Sequence, residues 1–231
     1  MGNRMETITE RSETGVCSAI AMRLAEKIER VAAEKNVCVL GIVGGRSIPA
    51  ILDMLLPYAP RLKGMIRVFW LDERIDNDKN YAPALKHLEQ LRRHGVDVLW
   101  YPLQSMNKQA MMLESKQVFS ALKEFNDPVG FDIVLLSSGE DGHIASLFPT
   151  HHHVSMKHAG YEIVENAPKK PSERVTATPQ LILTARTCFL LFVGEKREAY
   201  EQFNNPTVAV ADCPAKLVLQ IPDLIIGIFL K

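Results

Sequence analysis

The chain has 231 residues, 47% of them hydrophobic and 23% charged, a composition that excludes disordered, collagen-like and coiled-coil classes. Its length suits one large core. Twenty-seven Lys and Arg balance 27 Asp and Glu, so no global field exists to hold nucleic acid or an anionic membrane, and any anion site must be local. Cys17, Cys38, Cys188 and Cys213 show neither CxxC nor zinc-ligand spacing. The opening residues lack the apolar core of a signal peptide, and no run approaches the ~18 apolar residues of a membrane span. A reducing, cytoplasmic setting is expected.

In chain order, apolar residues at Val16, Ile20, Leu24, Ile28 and Val31 predict an amphipathic helix over Ser12 to Lys35. The continuous apolar run Val37 to Val43, stopped by Gly44-Gly45, predicts a strand covered on both faces, as in parallel sheets. A helix at Pro49 to Leu56, a strand at Ile66 to Leu71 and a helix from Asn80 to Arg93 follow. Then come a strand at Val96 to Trp100, a helix from Lys108 to Phe125 capped by Asn107, and the strand Phe131 to Leu136. His151 to Pro171 is a long excursion rich in His, Lys and Pro. Short strands are expected at Tyr161 to Val164 and Arg174 to Thr176, a buried one at Cys188 to Val193, a helix at Lys196 to Phe203, and a last strand at Leu224 to Leu230. Alternation at βαβ spacing, with no linker, predicts an open, mostly parallel, Rossmann-like sheet with helices on both faces, spanning 1–231 as one α/β domain. In such a sheet ligands bind beyond the carboxyl ends of the strands.

Three loops at strand ends carry chemistry. In the first, Gly44, Gly45, Arg46 and Ser47 precede a helix; adjacent glycines admit a close anion, and the helix start offers free N–H groups beside a guanidinium and a hydroxyl. The spacing fits neither a P-loop nor GxGxxG, so nucleotide binding is not indicated. In the second, Asp72, Glu73 and Arg74 end an apolar strand, where a carboxylate beside a guanidinium can orient both on a ligand or simply form a solvated turn. The third is the most informative: Gly139 and Gly142 bracket Glu140 and Asp141 and place His143 on a tight acidic loop, a setting suited to proton chemistry. His151, His152 and His153 are expected in a solvated loop rather than around a metal, because consecutive side chains diverge in a helix or strand. Cys213, with no base motif nearby, reads as packing.

GGRSIP, FWLDER followed by NYAPA, FDIVLLSSGEDGHIASLFP, PSERVTATPQLI, FVGEKREA and CPAKLV stand in this order, and the chain from about Val37 onward resembles the 6-phosphogluconolactonase family, relatives of glucosamine-6-phosphate isomerase/deaminase. DGH followed by ASLFP resembles the lactonase branch; the deaminase branch carries an additional acid where this chain has Leu147-Phe148-Pro149. Two departures stand out: Ser137-Ser138 before GEDGH, and Lys79 where a serine commonly precedes the Asn-Tyr pair.

The resemblance implies hydrolysis of a phosphorylated sugar lactone with no metal or organic cofactor. It makes His143 the general base, Asp141 or Glu140 its orienting or sugar-binding neighbours, and Asp72 a substrate-contacting acid. Arg46, Ser47, the amides of Gly44 and Gly45, and the cations Arg74, Arg174 and Lys196 would hold the phosphate. The expected partner is a small phosphorylated sugar lactone, not nucleic acid or a membrane, with the chain a monomer or weak homodimer. The alternatives are an amino-sugar-phosphate isomerase/deaminase and a catalytically silent sugar-phosphate sensor.

Overall fold

The computed structural model describes residues 4–76 and 80–231; Lys79 lies outside them. In chain order the elements are β1 (Arg4–Thr9), α1 (Glu13–Lys35), β2 (Val37–Ile42), α2 (Ser47–Asp53), β3 (Met65–Trp70), β4 (Asp72–Arg74), α3 (Ala82–Arg93), β5 (Asp97–Tyr101) and α4 (Lys108–Lys123). After these come β6 (Ile133–Ser137), β7 (Tyr161–Val164), β8 (Arg174–Ala177), α5 (Pro179–Ile182), β9 (Thr187–Gly194), α6 (Arg197–Asn204) and β10 (Asp223–Leu230).

Local chemistry sets the ends of these elements. Ser12 caps α1 by accepting from the Gly15 amide at 3.0 Å, and Asn36 closes it in the left-handed conformation. Asn107 caps α4 through the Ala110 amide. The helix expected to run through Leu56 ends at Asp53, and a 3-10 turn takes Leu56–Arg61, where Pro57 and Pro60 lack the N–H groups an α-helix needs. α3 begins at Ala82 rather than Asn80, with Pro83 in its first turn.

Seven strands form one sheet in the order β1-β10-β9-β6-β2-β3-β5, all parallel. Every residue of β2 and β9 is buried, which requires cover on both faces; α1 supplies part of it against β2, β9 and β10. From β2 the chain winds outward through β3 and β5, then returns to β6 on the other side of β2 and winds outward through β9 and β10. The order therefore reverses between β2 and β6, and a crevice opens at their carboxyl ends.

Two further features depart from the sequence expectation. β1 is an unforeseen edge strand beside β10, tied to α1 by Arg23, whose guanidinium donates to both carboxylate oxygens of Glu6 at 3.1 and 2.6 Å. The charged segment Asp72–Arg74 is also a strand, pairing antiparallel with β8, which pairs with β7 to make a small second sheet. All four cysteines are free and buried, and Cys213 packs against Gly142. Among the described residues no helix is long and apolar enough to cross a membrane.

Candidate active site

A pocket of about 170 Å³ lies at the switch point between β2 and β6. Gly44 and Gly45 reach it from the end of β2, Ser137, Ser138 and Gly139 from β6, and Lys196 from the turn after β9. The small sheet contributes Asp72, Arg74 and Arg174.

The register of that sheet decides which side chains face the pocket. Asp72 pairs with Thr176 and Arg74 with Arg174, and alternate residues of a strand share a face, so these four side chains stand together. Glu73, on the opposite face, is fully buried and accepts from the backbone amides of Arg74, Asn80 and Tyr81 at 2.7, 2.7 and 2.9 Å. It ties the end of β4 to the residues just before α3. The two carboxylates, equivalent in the sequence, thus divide: Asp72 lines the site and Glu73 builds it. Burial pushes Glu73 up to about 7, against the pull of those amides.

Asp72 is 4% exposed. Ser146 donates its hydroxyl to Oδ2 at 3.0 Å, and Oδ1 has no hydrogen-bond partner among the described residues. Burial raises its pKa, opposed by the Ser146 bond and by Arg174, His143 and Arg74. A buried carboxylate oxygen left open at a pocket wall is a costly arrangement for the fold and a ready acceptor for a ligand hydroxyl.

His143 rests beside the ring of Phe148, centroids 4.7 Å apart, with its Nδ1 2.5 Å from Oδ1 of Asp141. The loop packs closely on the ring: the Gly139 amide donates to the His143 carbonyl at 2.7 Å, and a Cβ on Gly139 would stand 1.9 Å from Nδ1. Burial works to raise the Asp141 pKa, but the hydrogen bond and charge of His143, with Lys169, outweigh it and hold the carboxyl well below the usual range. An ionised Asp141 accepts from Nδ1–H, so Nε2 keeps its lone pair for a proton.

Arg174 is 6% exposed; it donates to the carbonyls of Lys169, Lys170 and Pro171 and lies over the Phe148 ring at 5.4 Å. Burial lowers the pKa of Arg174, and likewise that of Lys196, although the carboxylates nearby favour both cations.

Of the residues singled out from the sequence, Gly44, Gly45, Asp72, Arg74, His143, Arg174 and Lys196 line one pocket. Arg46 is exposed outside its wall, and Ser47 is buried in the first turn of α2. Glu140 is exposed and borders, with Asp141 and Lys169, a shallow depression alongside. Sequence reasoning missed Asn80, whose carboxamide fills the space a Cβ on Gly44 would take, as well as Ser146 and Lys169, whose Nζ lies 3.3 Å from Asp141. Only the motif SLFP hinted at Ser146; nothing local marked Lys169. Ser138, one of the two departures in the loop, is buried and spends its hydroxyl on the Gly139 carbonyl.

The sequence model described as Glucosamine-6-phosphate isomerases/6-phosphogluconolactonase matches residues 11–225. The chain is 30% identical over 195 residues to the 6-phosphogluconolactonase of Borreliella burgdorferi, with 81% of each chain covered. It is 28% identical over 188 residues to that of Mycobacterium tuberculosis, covering 77% of this chain and 76% of the other. Among solved structures, the 6-phosphogluconolactonase of Trypanosoma brucei aligns with a TM-score of 0.79 at 20% identity, covering 99% of this chain and 97% of that one. The enzyme from Shewanella baltica aligns at 0.78 and 19%, covering 98% and 97%. At such identities the structural likeness establishes the fold, the open parallel sheet expected from the sequence.

Proposed function

Because the chain belongs to the glucosamine-6-phosphate isomerase/6-phosphogluconolactonase family, we propose that it is a lactone hydrolase that converts 6-phospho-D-glucono-1,5-lactone to 6-phospho-D-gluconate. The observation that carries this reading is the pairing of an Asp141-oriented His143 with three cationic side chains around one small pocket.

Ester hydrolysis needs an activated water, and a grip that places the carbonyl. Nε2 of His143 takes a proton from water as its oxygen adds to the lactone carbonyl. Collapse of the tetrahedral intermediate breaks the bond to the ring oxygen, which recovers that proton from the imidazolium as the C5 hydroxyl. Asp141 fixes the tautomer and stabilises the imidazolium. Asp72 accepts from a sugar hydroxyl through its open Oδ1. Arg74, Arg174 and Lys196, with the amides of Gly44 and Gly45, hold the phosphate, and Arg46 and Ser47 contribute from the rim and the first helical turn. Charge-assisted hydrogen bonds of this type are the strong ones, and a guanidinium matches phosphate in two-point geometry.

Leu147 and Phe148 are both fully buried apolar residues, so the segment after His143 supplies no second acid for ring opening and deamination of an amino sugar. The test is hydrolysis of freshly generated 6-phosphoglucono-1,5-lactone, followed by acid release and corrected for the spontaneous reaction, with His143→Ala as control. Turnover lost in the variant supports the reading. Binding of 6-phosphogluconate with no rate above background overturns it in favour of a sugar-phosphate sensor.

A further inference from the structure

Away from the pocket, His151, His152 and His153 do not form the solvated loop expected of them. His151 is extended and a 3-10 turn begins at the next residue, His152–Ser155, and this change of backbone gathers the three rings instead of splaying them. One ring nitrogen from each lies within 4.8 Å of the others.

The hydrogen bonds set the tautomers. His153 is 3% exposed, and its Nε2 lies 3.0 Å from the carbonyl oxygen of Ile163. A carbonyl only accepts, so Nε2 carries the hydrogen and Nδ1 presents a lone pair. That lone pair faces Nδ1 of His151 at 2.7 Å, and the His152 ring sits 3.9 Å from that of His153, centroid to centroid. An imidazole anchored by one nitrogen on a backbone carbonyl, with the other free, is how proteins orient metal-binding histidines.

We propose that this turn binds a divalent late-transition-metal ion of the Zn²⁺, Ni²⁺ or Cu²⁺ class through Nδ1 of His151, Nδ1 of His153 and a ring nitrogen of His152. Imidazole donors suit these ions, whereas Mg²⁺ and Ca²⁺ demand oxygen ligands. With metal–nitrogen bonds of about 2.0–2.1 Å, tetrahedral ligands stand about 3.3 Å apart. The present spacing, from 2.7 to within 4.8 Å, brackets that value. His153 is the fixed ligand, while the more accessible His151 and His152 turn to meet the ion, the His151 hydrogen passing from Nδ1 to Nε2 as Nδ1 ligates. His151 and His152 also border a cleft of about 460 Å³ next to Lys157 and Gln180, so water or a small ligand reaches the remaining coordination position from there.

The test is calorimetric titration of tag-free, chelator-stripped protein with Zn²⁺, and separately with Mg²⁺, alongside thermal melts. The proposal expects one saturable Zn²⁺ site, a Zn²⁺-dependent rise in Tm and no heat from Mg²⁺. It expects affinity to fall about tenfold or more in His151→Gln and in His152→Gln, with the melting temperature of the metal-free protein unchanged by the exposed His152→Gln. His143→Ala should keep the site, which separates it from the His143–Asp141 pair. Absence of saturable Zn²⁺ binding, or a site abolished by His143→Ala and retained in His151→Gln, overturns the proposal.

Discussion

Arg74 and Arg174 stand directly opposite each other across the β4–β8 ladder, an arrangement that costs stability, because like charges face to face in a sheet repel. In the proposed function a phosphate bound between or beside them would offset that cost. Their other partners differ, and so do the expected phenotypes. Arg74→Ala should lower kcat/KM for the phosphorylated lactone by about 10- to 100-fold, the scale of a charge-assisted hydrogen bond, and leave glucono-1,5-lactone hydrolysis within a few-fold of the parent. Arg174→Ala should do the same and also lower Tm by several degrees, since Arg174 alone bonds the carbonyls of Lys169, Lys170 and Pro171. Equal losses on both lactones for Arg74→Ala would remove it from the phosphate site.

Asp141 and Gly139 act on the same ring from two sides. Asp141→Asn removes the ionised acceptor that holds Nδ1–H and should lower kcat by roughly two to three orders of magnitude with KM little changed. Gly139→Ala drives a Cβ into the space of His143 Nδ1 and should cost a comparable factor while the protein still melts cooperatively. Steady-state kinetics with a parallel thermal melt distinguish displaced chemistry from unfolding; normal turnover in Gly139→Ala would mean that the ring works from another position.

The parallel sheet was legible because its inner strands are buried on both faces and therefore appear as unbroken apolar runs, as in Val37–Ile42. β1 escaped notice for the opposite reason. Arg4, Glu6 and its other residues are exposed or half-buried at a sheet edge, and its pairing partner, β10, lies at the far end of the chain. Asp72 and Glu73 were equivalent in the sequence, and only the antiparallel register assigns one to the pocket and the other to the amides before α3. Arg174 and Lys196 had no local signal beyond family resemblance, because their convergence depends on chain crossings some 100 residues away from Arg74. The gathering of the three histidine rings was not legible because side-chain divergence holds within regular elements and fails where the backbone changes from extended to 3-10.

Ser146 links the loop after His143 to the small sheet, through its hydroxyl on Asp72 and its amide on Thr176 Oγ1 at 3.2 Å. Ser146→Ala removes the bond that lowers the pKa of Asp72, so burial should raise that carboxyl further. The acid limb of the kcat/KM profile should then move to higher pH, with the plateau lowered about tenfold. Thr at this position, which restores the hydroxyl, should return most of the limb to its original place. A variant with reduced rate but an unmoved limb would show that Ser146 serves packing and not Asp72.

Glu73 offers a stability test independent of catalysis. Its folded pKa of about 7 lies above the ordinary carboxylate value, so the folded chain binds more protons at this group than the unfolded chain between those values. Its contribution is therefore largest below the unfolded pKa and declines as pH rises to about 7. Glu73→Gln does not titrate, and it sets an amide against the donors of Arg74, Asn80 and Tyr81, so it should destabilise the protein by about 1–3 kcal/mol at pH 5. The gap between parent and variant should narrow as pH rises to 8. Urea midpoints at the two pH values measure this directly. A gap that widens with pH would mean that the three amides outweigh burial and hold Glu73 ionised, which would reverse the sign of its contribution.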